Sequence, residues 1–102
     1  MRHLLGIDEL DAEQIAVFLS RAQEYSDALK SGSWDTERLK NKVILHLFFE
    51  NSTRTLTSFE IAAKRLGADV VNWNPETSSL AKGENFIDTV DTLVSMKPDA
   101  IV

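Results

Sequence analysis

Cysteine is absent from this 102-residue chain, as are any long hydrophobic run and any excess of basic residues. Without cysteine, disulfides, zinc–thiolate sites and thiol nucleophiles are excluded, and nothing argues for an oxidising compartment. No apolar run approaches the roughly 20 residues that a membrane-spanning helix needs, and the amino terminus becomes acidic too early for a signal peptide. We therefore expect a soluble, cytoplasmic protein without a membrane segment.

The net charge of −5 arises from 16 acidic and 11 basic side chains. Binding to nucleic acid through its phosphates needs a basic face, so this composition argues against a nucleic-acid partner. An anionic ligand would have to be held by local positive groups. With 43% hydrophobic and 26% charged residues, the chain is large enough for one core and for one domain at most.

The first long element that the pattern predicts is a helix over residues 12–30. Asp11 followed by Gln14 is typical of a capping box, and Ser-Gly-Ser at 31–33 ends the helix. Apolar residues recur at helical spacing and predict a face that packs into the core. They are Ile15, Phe18, Leu19, Ala22, Tyr25 and Leu29.

Residues 43–73 follow a strand, helix, strand pattern. The apolar run at 43–48 is rich in β-branched and aromatic side chains, as expected of a strand buried on both faces. A helix from 53 to 66 ends at Gly67, and residues 69–73 form a second strand. Two strands joined by a helix of this length imply a right-handed parallel crossover.

A third helix beginning at Glu84 and a strand over 99–102 complete the pattern. The predicted fold class is therefore α/β, a parallel β-sheet with flanking helices in the order αβαβαβ. Because the last strand has no continuation to cover it, we expect the chain to be a fragment of a longer protein.

A polar cluster follows the first strand and opens the second helix. The first turn of a helix presents amide N–H groups without helical partners, and its dipole adds partial positive charge, so it is suited to anions. Ser52 can cap this helix, Thr53 and Thr55 add hydroxyl donors, and Arg54 adds a planar fork of N–H groups suited to phosphate or carboxylate. We predict an anion site formed by Ser52, Thr53, Arg54 and Thr55.

A purely structural interpretation of the same residues is that Ser52 is an N-cap and Arg54 a solvated surface residue. Three threonines at 53, 55 and 57 argue against it, because threonine is a poor helix former. His46, the single polar residue of the first strand, is conceivable as a ligand, but a hydrogen-bonded core histidine is the preferred interpretation. Glu60 and Lys64 form an (i, i+4) surface pair.

Two runs carry a resemblance to a known family. Phe-Phe-Glu-Asn-Ser-Thr-Arg-Thr at 48–55, with Ser-Phe-Glu at 58–60, resembles the carbamoyl-phosphate motif of the aspartate and ornithine carbamoyltransferases. Ser-Ser-Leu-Ala-Lys-Gly-Glu at 78–84 resembles the mobile loop of the aspartate enzymes. The resemblance covers residues 1–102 as an incomplete carbamoyl-phosphate-binding domain, with the aspartate-binding domain absent. Leu56 departs from the motif, since many members carry a second arginine there.

The resemblance implies a transferase that moves the carbamoyl group from carbamoyl phosphate to the amine of L-aspartate, an early step of pyrimidine synthesis. It implies that residues 52–55 bind carbamoyl phosphate and that Arg54 and Thr55 are catalytic. It also implies that Lys82 and Ser79 bind aspartate in the active site of a neighbouring subunit, with Ser78 as the alternative to Ser79.

The same resemblance implies a homotrimer of the full-length chain with active sites at subunit interfaces, in some members joined by regulatory or dihydroorotase-type chains. It implies no cofactor and no metal. Two other functions stay open. One is ornithine carbamoyltransferase, which the loop at 78–84 disfavours, and the other is a non-catalytic phosphate-binding α/β module, in which Lys82 would be idle.

Overall fold

A computed structural model describes residues 2–49, 52–73 and 85–102. The chain divides into two units, Met1–Trp34 and Asp35–Val102. The first unit contains a short 3-10 helix, Ile7–Glu9, and the long helix α1, Ala12–Ser31.

Helix α1 begins and ends where its sequence signals predict. The Asp11 carboxylate accepts a hydrogen bond from the Gln14 backbone N–H at 2.8 Å, and the Gln14 side chain accepts one from the Asp11 N–H at 3.0 Å. A cap of this kind stabilises a helix end by about 1 kcal/mol. Gly32 follows the last turn at φ +74°, a left-handed conformation that glycine adopts without a Cβ clash. The predicted capping box is confirmed.

The apolar face of α1 is exposed. None of the α1 residues is buried, and Phe18 and Leu19 keep 47% and 67% of their surface accessible. Within the first unit this face therefore meets no buried core, and its packing into the core of the protein stays a prediction. Helical periodicity identifies which side of a helix is apolar, whereas the element that covers that side is not contained in the spacing.

Within its described residues, the second unit is a three-stranded parallel sheet with two helices. The strands lie in the order β2-β1-β3, and β1 pairs in parallel with both neighbours. The bounds are Val43–Leu47 for β1, Thr53–Arg65 for α2, Asp69–Trp73 for β2, Phe86–Ser95 for α3 and Ala100–Ile101 for β3. The predicted α/β class and the parallel pairing are confirmed.

Two helix ends refine the predicted bounds. Helix α3 begins at Phe86 rather than at Glu84, because Asn85 caps it by accepting a hydrogen bond from a backbone N–H of the first turn at 2.8 Å. Gly67 follows α2 at φ +90°, and a Cβ built on it would lie 2.3 Å from the Thr36 carbonyl oxygen. Both the left-handed backbone and the close approach require glycine at this position.

The core of the second unit is built on the central strand. Ile44 and Leu45 of β1 are buried, and Ile44 packs against Ala63 of α2 and Ala68. Burying a side chain of this size contributes roughly 1.5–3 kcal/mol. The packing fixes α2 against β1, so the start of α2 lies beside the carboxyl end of the central strand.

Candidate active site

Ser52 occupies the N-cap position of α2, but its side chain makes no capping hydrogen bond. Its hydroxyl donates to Thr55 Oγ1 at 2.9 Å instead. The backbone of Ser52 lies at φ −108°, ψ 86°, whereas Asp11, whose side chain does cap α1, is extended at φ −83°, ψ 172°. The predicted position of Ser52 is thus right and the predicted capping bond is wrong.

Several donors at this helix start have no acceptor within the described part of the chain. The first helical hydrogen bond between described residues runs from the Leu56 N–H to the Ser52 carbonyl at 3.1 Å. The three preceding amides, at 53, 54 and 55, therefore have no helical acceptor among these residues. Thr55 Oγ1 accepts a hydrogen bond from the Ser52 hydroxyl, so the hydroxyl hydrogen of Thr55 remains available to a ligand. An anion placed here would meet both N–H and O–H donors.

A hollow of about 330 Å³ opens at the carboxyl ends of β1 and β3. It is lined by Leu47, Phe48, Phe49, Ser52, Thr55 and Val102. Its volume lies at the small end of the range typical of small-molecule sites. Two of the predicted site residues, Ser52 and Thr55, are brought together on its wall.

Thr53 and Arg54 are exposed and do not line this hollow. Arg54 makes no hydrogen bond or ion pair with another residue of the described ranges, so within these ranges its guanidinium N–H donors are unpaired. The structure therefore separates the predicted cluster into two hydroxyls on the wall and two exposed side chains on the same helical turn.

The predicted aspartate-binding residues, Lys82 and Ser79, lie outside the described residues, as does Ser78, the alternative to Ser79.

Across residues 2–49, 52–73 and 85–102, no helix is long and apolar enough to cross a membrane. The same ranges contain no group of three or more His, Asp or Glu side chains placed to hold a metal ion.

His46 is the most buried large side chain among the described residues, with 1% of its surface accessible. Its Nδ1 lies 2.9 Å from Asn72 Oδ1, so the prediction of a hydrogen-bonded core histidine is confirmed. Its Nε2 is buried without a partner in the described ranges, which costs about 1–3 kcal/mol for a polar atom. The burial thus comes with a cost in stability.

Asn72 connects this histidine to α2, a link that the sequence analysis missed. The Asn72 amide donates to Glu60 Oε1, and Glu60 Oε2 lies 3.5 Å from Lys64 Nζ, which confirms the predicted Glu60–Lys64 pair. The hydrogen bond from Asn72, followed by the charge of Lys64, lowers the pKa of Glu60 below 4.5. The signal that could have revealed the link is strand register, since His46 and Asn72 are direct neighbours across β1 and β2.

A parallel sheet that has hydroxyls and the first-turn amides of a helix at its carboxyl edge has the arrangement of an anion-binding α/β domain. The chain belongs to the aspartate/ornithine carbamoyltransferase family, whose carbamoyl-phosphate-binding domain matches residues 2–102.

Similar proteins include two bacterial catalytic subunits. The chain is 48% identical over 101 residues to the aspartate carbamoyltransferase catalytic subunit of Rhodospirillum rubrum and 52% identical over 101 residues to that of Caulobacter vibrioides. Each alignment covers 99% of this chain, but only 32% and 30% of the two relatives. The chain thus spans about a third of the length of these relatives.

Solved structures show the same fold. Aspartate transcarbamoylase from Trypanosoma cruzi, in complex with carbamoyl phosphate and aspartate, is 32% identical with a TM-score of 0.88, over 98% of this chain and 30% of that chain. The catalytic subunit of the M. jannaschii enzyme is 36% identical with a TM-score of 0.82, over 99% of this chain and 33% of that one.

Proposed function

We propose that this chain is the carbamoyl-phosphate-binding part of an aspartate carbamoyltransferase. The observation that carries the proposal is the hydrogen-bonded pair of hydroxyls on Ser52 and Thr55, beside first-turn amides that have no helical acceptor in the described ranges, at the carboxyl end of the central strand. Membership of the carbamoyltransferase family and the T. cruzi complex with carbamoyl phosphate and aspartate support this choice of substrates.

In the proposed reaction, the amine of L-aspartate attacks the carbonyl carbon of carbamoyl phosphate. A C–N bond forms, the C–O bond to the phosphate breaks, and the amine loses a proton. The products are N-carbamoyl-L-aspartate and phosphate. Holding the two substrates in a reactive orientation supplies much of the rate, because it removes the entropy cost of their encounter.

The donors at the start of α2 would bind different parts of carbamoyl phosphate. The amides at 53–55 and the hydroxyl of Thr53 would donate to the phosphate oxygens. Ser52 would join them by turning its single hydroxyl hydrogen from Thr55 Oγ1 to the bound phosphate. The free hydroxyl hydrogen of Thr55 would donate to the carbamoyl oxygen, where negative charge develops as the amine attacks. Arg54, exposed and available, would stabilise the departing phosphate.

The proposal extends to the assembly and to the second substrate. We infer that residues 1–102 are part of a carbamoyl-phosphate-binding domain and that the aspartate-binding domain belongs to the rest of the catalytic subunit. The active unit would be a cytoplasmic homotrimer, alone or with regulatory or dihydroorotase-type chains, acting in pyrimidine synthesis. Lys82 and Ser79, or Ser78 in its place, would bind aspartate in the site of a neighbouring subunit.

A product assay on the complete catalytic subunit tests the chemistry. Incubated with carbamoyl phosphate, it should form N-carbamoyl aspartate from aspartate and no citrulline from ornithine. Formation of citrulline alone would establish the ornithine reaction. Binding of carbamoyl phosphate and inorganic phosphate with equal affinity, without any product, would favour the non-catalytic phosphate-binding module.

Mixing two inactive variants tests whether the loop acts across subunits. Arg54→Ala and Lys82→Ala subunits should each be inactive alone, and they should regain activity after being dissociated and reassembled together. Recovery is expected because some sites then combine an intact Arg54 with a neighbour's intact Lys82. If reassembled mixtures stay inactive while parent subunits recover, both residues act within one subunit.

A further inference from the structure

Three side chains form a hydrogen-bonded chain, the His46–Asn72–Glu60 chain, that joins three elements of the fold. His46 lies on β1, Asn72 on β2 directly opposite it, and Glu60 on α2. The first contact joins His46 Nδ1 to Asn72 Oδ1 at 2.9 Å, and the second joins Asn72 Nδ2 to Glu60 Oε1. The His46–Asn72–Glu60 chain therefore joins α2 to both strands by directional hydrogen bonds.

The direction of each bond follows from the chemistry of the middle residue. Because the Asn72 amide nitrogen donates to Glu60, its oxygen faces His46 and must accept. His46 Nδ1 therefore carries the hydrogen. An aliphatic side chain of similar size would fill the same space without leaving a buried nitrogen unpartnered, so packing alone does not explain the histidine.

The His46 ring also contacts the two aromatic residues that frame the helix start. Its ring centroid lies 5.9 Å from that of Phe48 and 6.4 Å from that of Phe59. Phe59 follows Thr55 by four positions on α2, so both lie on the same side of the helix. The contacts that hold this side of α2 against β1 therefore also determine the position of the Thr55 hydroxyl in the hollow.

We propose that His46 is a positioning residue for the carbamoyl-transfer site and that it acts through Asn72 and Glu60 to hold the first turn of α2 at the carboxyl end of β1. This inference rests on the proposed function. His46 touches no reacting atom in this account. Its contribution is the orientation of Thr55, and a misplaced donor weakens catalysis even when the donor itself is intact.

Two substitutions separate hydrogen bonding from packing. His46→Leu keeps most of the volume and removes the donor, whereas His46→Asn is smaller but places an N–H donor where Nδ1 was. In the complete catalytic subunit, His46→Leu should lower kcat/KM for carbamoyl phosphate by roughly 10-fold. His46→Asn should recover most of that loss, and the KM for aspartate should stay unchanged in both.

The relative activities of the two His46 variants test the positioning role. A leucine variant as active as the parent, or an asparagine variant less active than the leucine one, overturns the inference, because packing would then be the whole role. If neither His46 variant folds, Asn72→Ala tests the same hydrogen-bonded chain, because the Asn72 side chain is exposed and the change should not prevent folding. It should show the same loss, and Asp69→Ala, an exposed position on the same strand, should not. Activity of Asn72→Ala within twofold of the parent would overturn the inference.

Hydrogen exchange over residues 52–60 gives a readout that does not depend on turnover. Hydrogen exchange over residues 52–60 should be faster in His46→Leu and return toward the parent rate in His46→Asn, while exchange in helix α3 is unchanged. If the parent itself forms no carbamoyl aspartate, the proposed function fails and exchange still tests the positioning role. Equal exchange in the parent and His46→Leu would refute that role.

Discussion

Thr55→Val is the change that tests the helix start with the least disturbance. Valine has nearly the shape of threonine and a similar helix propensity, so the substitution removes a hydroxyl and little else. Thr55 is exposed, and among the described residues its Oγ1 accepts a hydrogen bond only from Ser52, at 2.9 Å. We expect the free energy of unfolding to change by no more than about 0.5 kcal/mol.

The expected effect on catalysis follows from what the hydroxyl would donate to. A hydrogen bond to a charged group contributes about 1.5–3 kcal/mol, which corresponds to a loss of roughly 10- to 150-fold in kcat/KM. A donor aimed at an oxygen that gains charge only in the transition state lies at the upper end of that range. The loss should therefore fall mainly on kcat rather than on the KM for carbamoyl phosphate.

The assay is formation of N-carbamoyl aspartate by the complete catalytic subunit, with carbamoyl phosphate varied at saturating aspartate. Thr57→Val is the matched control, because Thr57 is also an exposed threonine of α2 but does not line the hollow. We expect its kinetics to match those of the parent. If kcat/KM of Thr55→Val is within threefold of the parent value, or if Thr57→Val loses as much, the role given to Thr55 is refuted.

Three further predictions concern charge, backbone and pH. Arg54→Ala should be nearly inactive, with kcat/KM for carbamoyl phosphate lowered by roughly 100-fold or more through a higher KM and a lower kcat, and with thermal stability unchanged because the side chain is exposed. Gly67→Ala should destabilise the protein by about 2–5 kcal/mol and Gly32→Ala by about 1–2 kcal/mol in urea unfolding, since both have positive φ but only the first meets a backbone atom. Carboxyl NMR titration should show the pKa of Glu60 below 4.5 and rising toward it in Asn72→Ala. A lowered folded-state pKa stabilises the fold above the unfolded value, so this contribution is present above about pH 4.5 and is lost as the pH falls through the folded pKa.

Each of these has an outcome that contradicts it. Arg38→Ala, an exposed arginine away from the hollow, is the control for Arg54→Ala, and equal kinetics of the two variants would remove Arg54 from the site. A Gly67→Ala protein as stable as Gly32→Ala would mean that the close approach at this turn is relieved without cost. An unchanged Glu60 titration in Asn72→Ala would show that Asn72 does not bond this carboxylate in solution.

Local signals in the sequence were sufficient for most of the elements. The capping box at Asp11, the glycine after each of the first two long helices, and the apolar run of β1 each act within a few residues, so the pattern alone locates them. The strand over 69–73 has the predicted bounds. The donors at 52–55 were also predictable, since a hydroxyl-rich helix start after a buried strand is a local feature.

What the sequence could not supply depends on tertiary contacts. The pairing of His46 with Asn72 needs the register of β1 against β2, which no local pattern fixes when both strands are short. The Ser52–Thr55 hydrogen bond depends on a backbone turn that is neither helical nor extended, so a cap was expected instead. For α1, the spacing of apolar residues locates the apolar face but does not identify what covers that face.

The most direct measurement is a crystal structure of the complete catalytic subunit with carbamoyl phosphate bound. We expect phosphate oxygens within about 3.2 Å of the backbone nitrogens at 53–55 and of the Arg54 guanidinium, with the Thr55 hydroxyl donating to the carbamoyl oxygen. Carbamoyl phosphate bound elsewhere, with the first turn of α2 empty or turned away from it, would refute the binding role of residues 52–55.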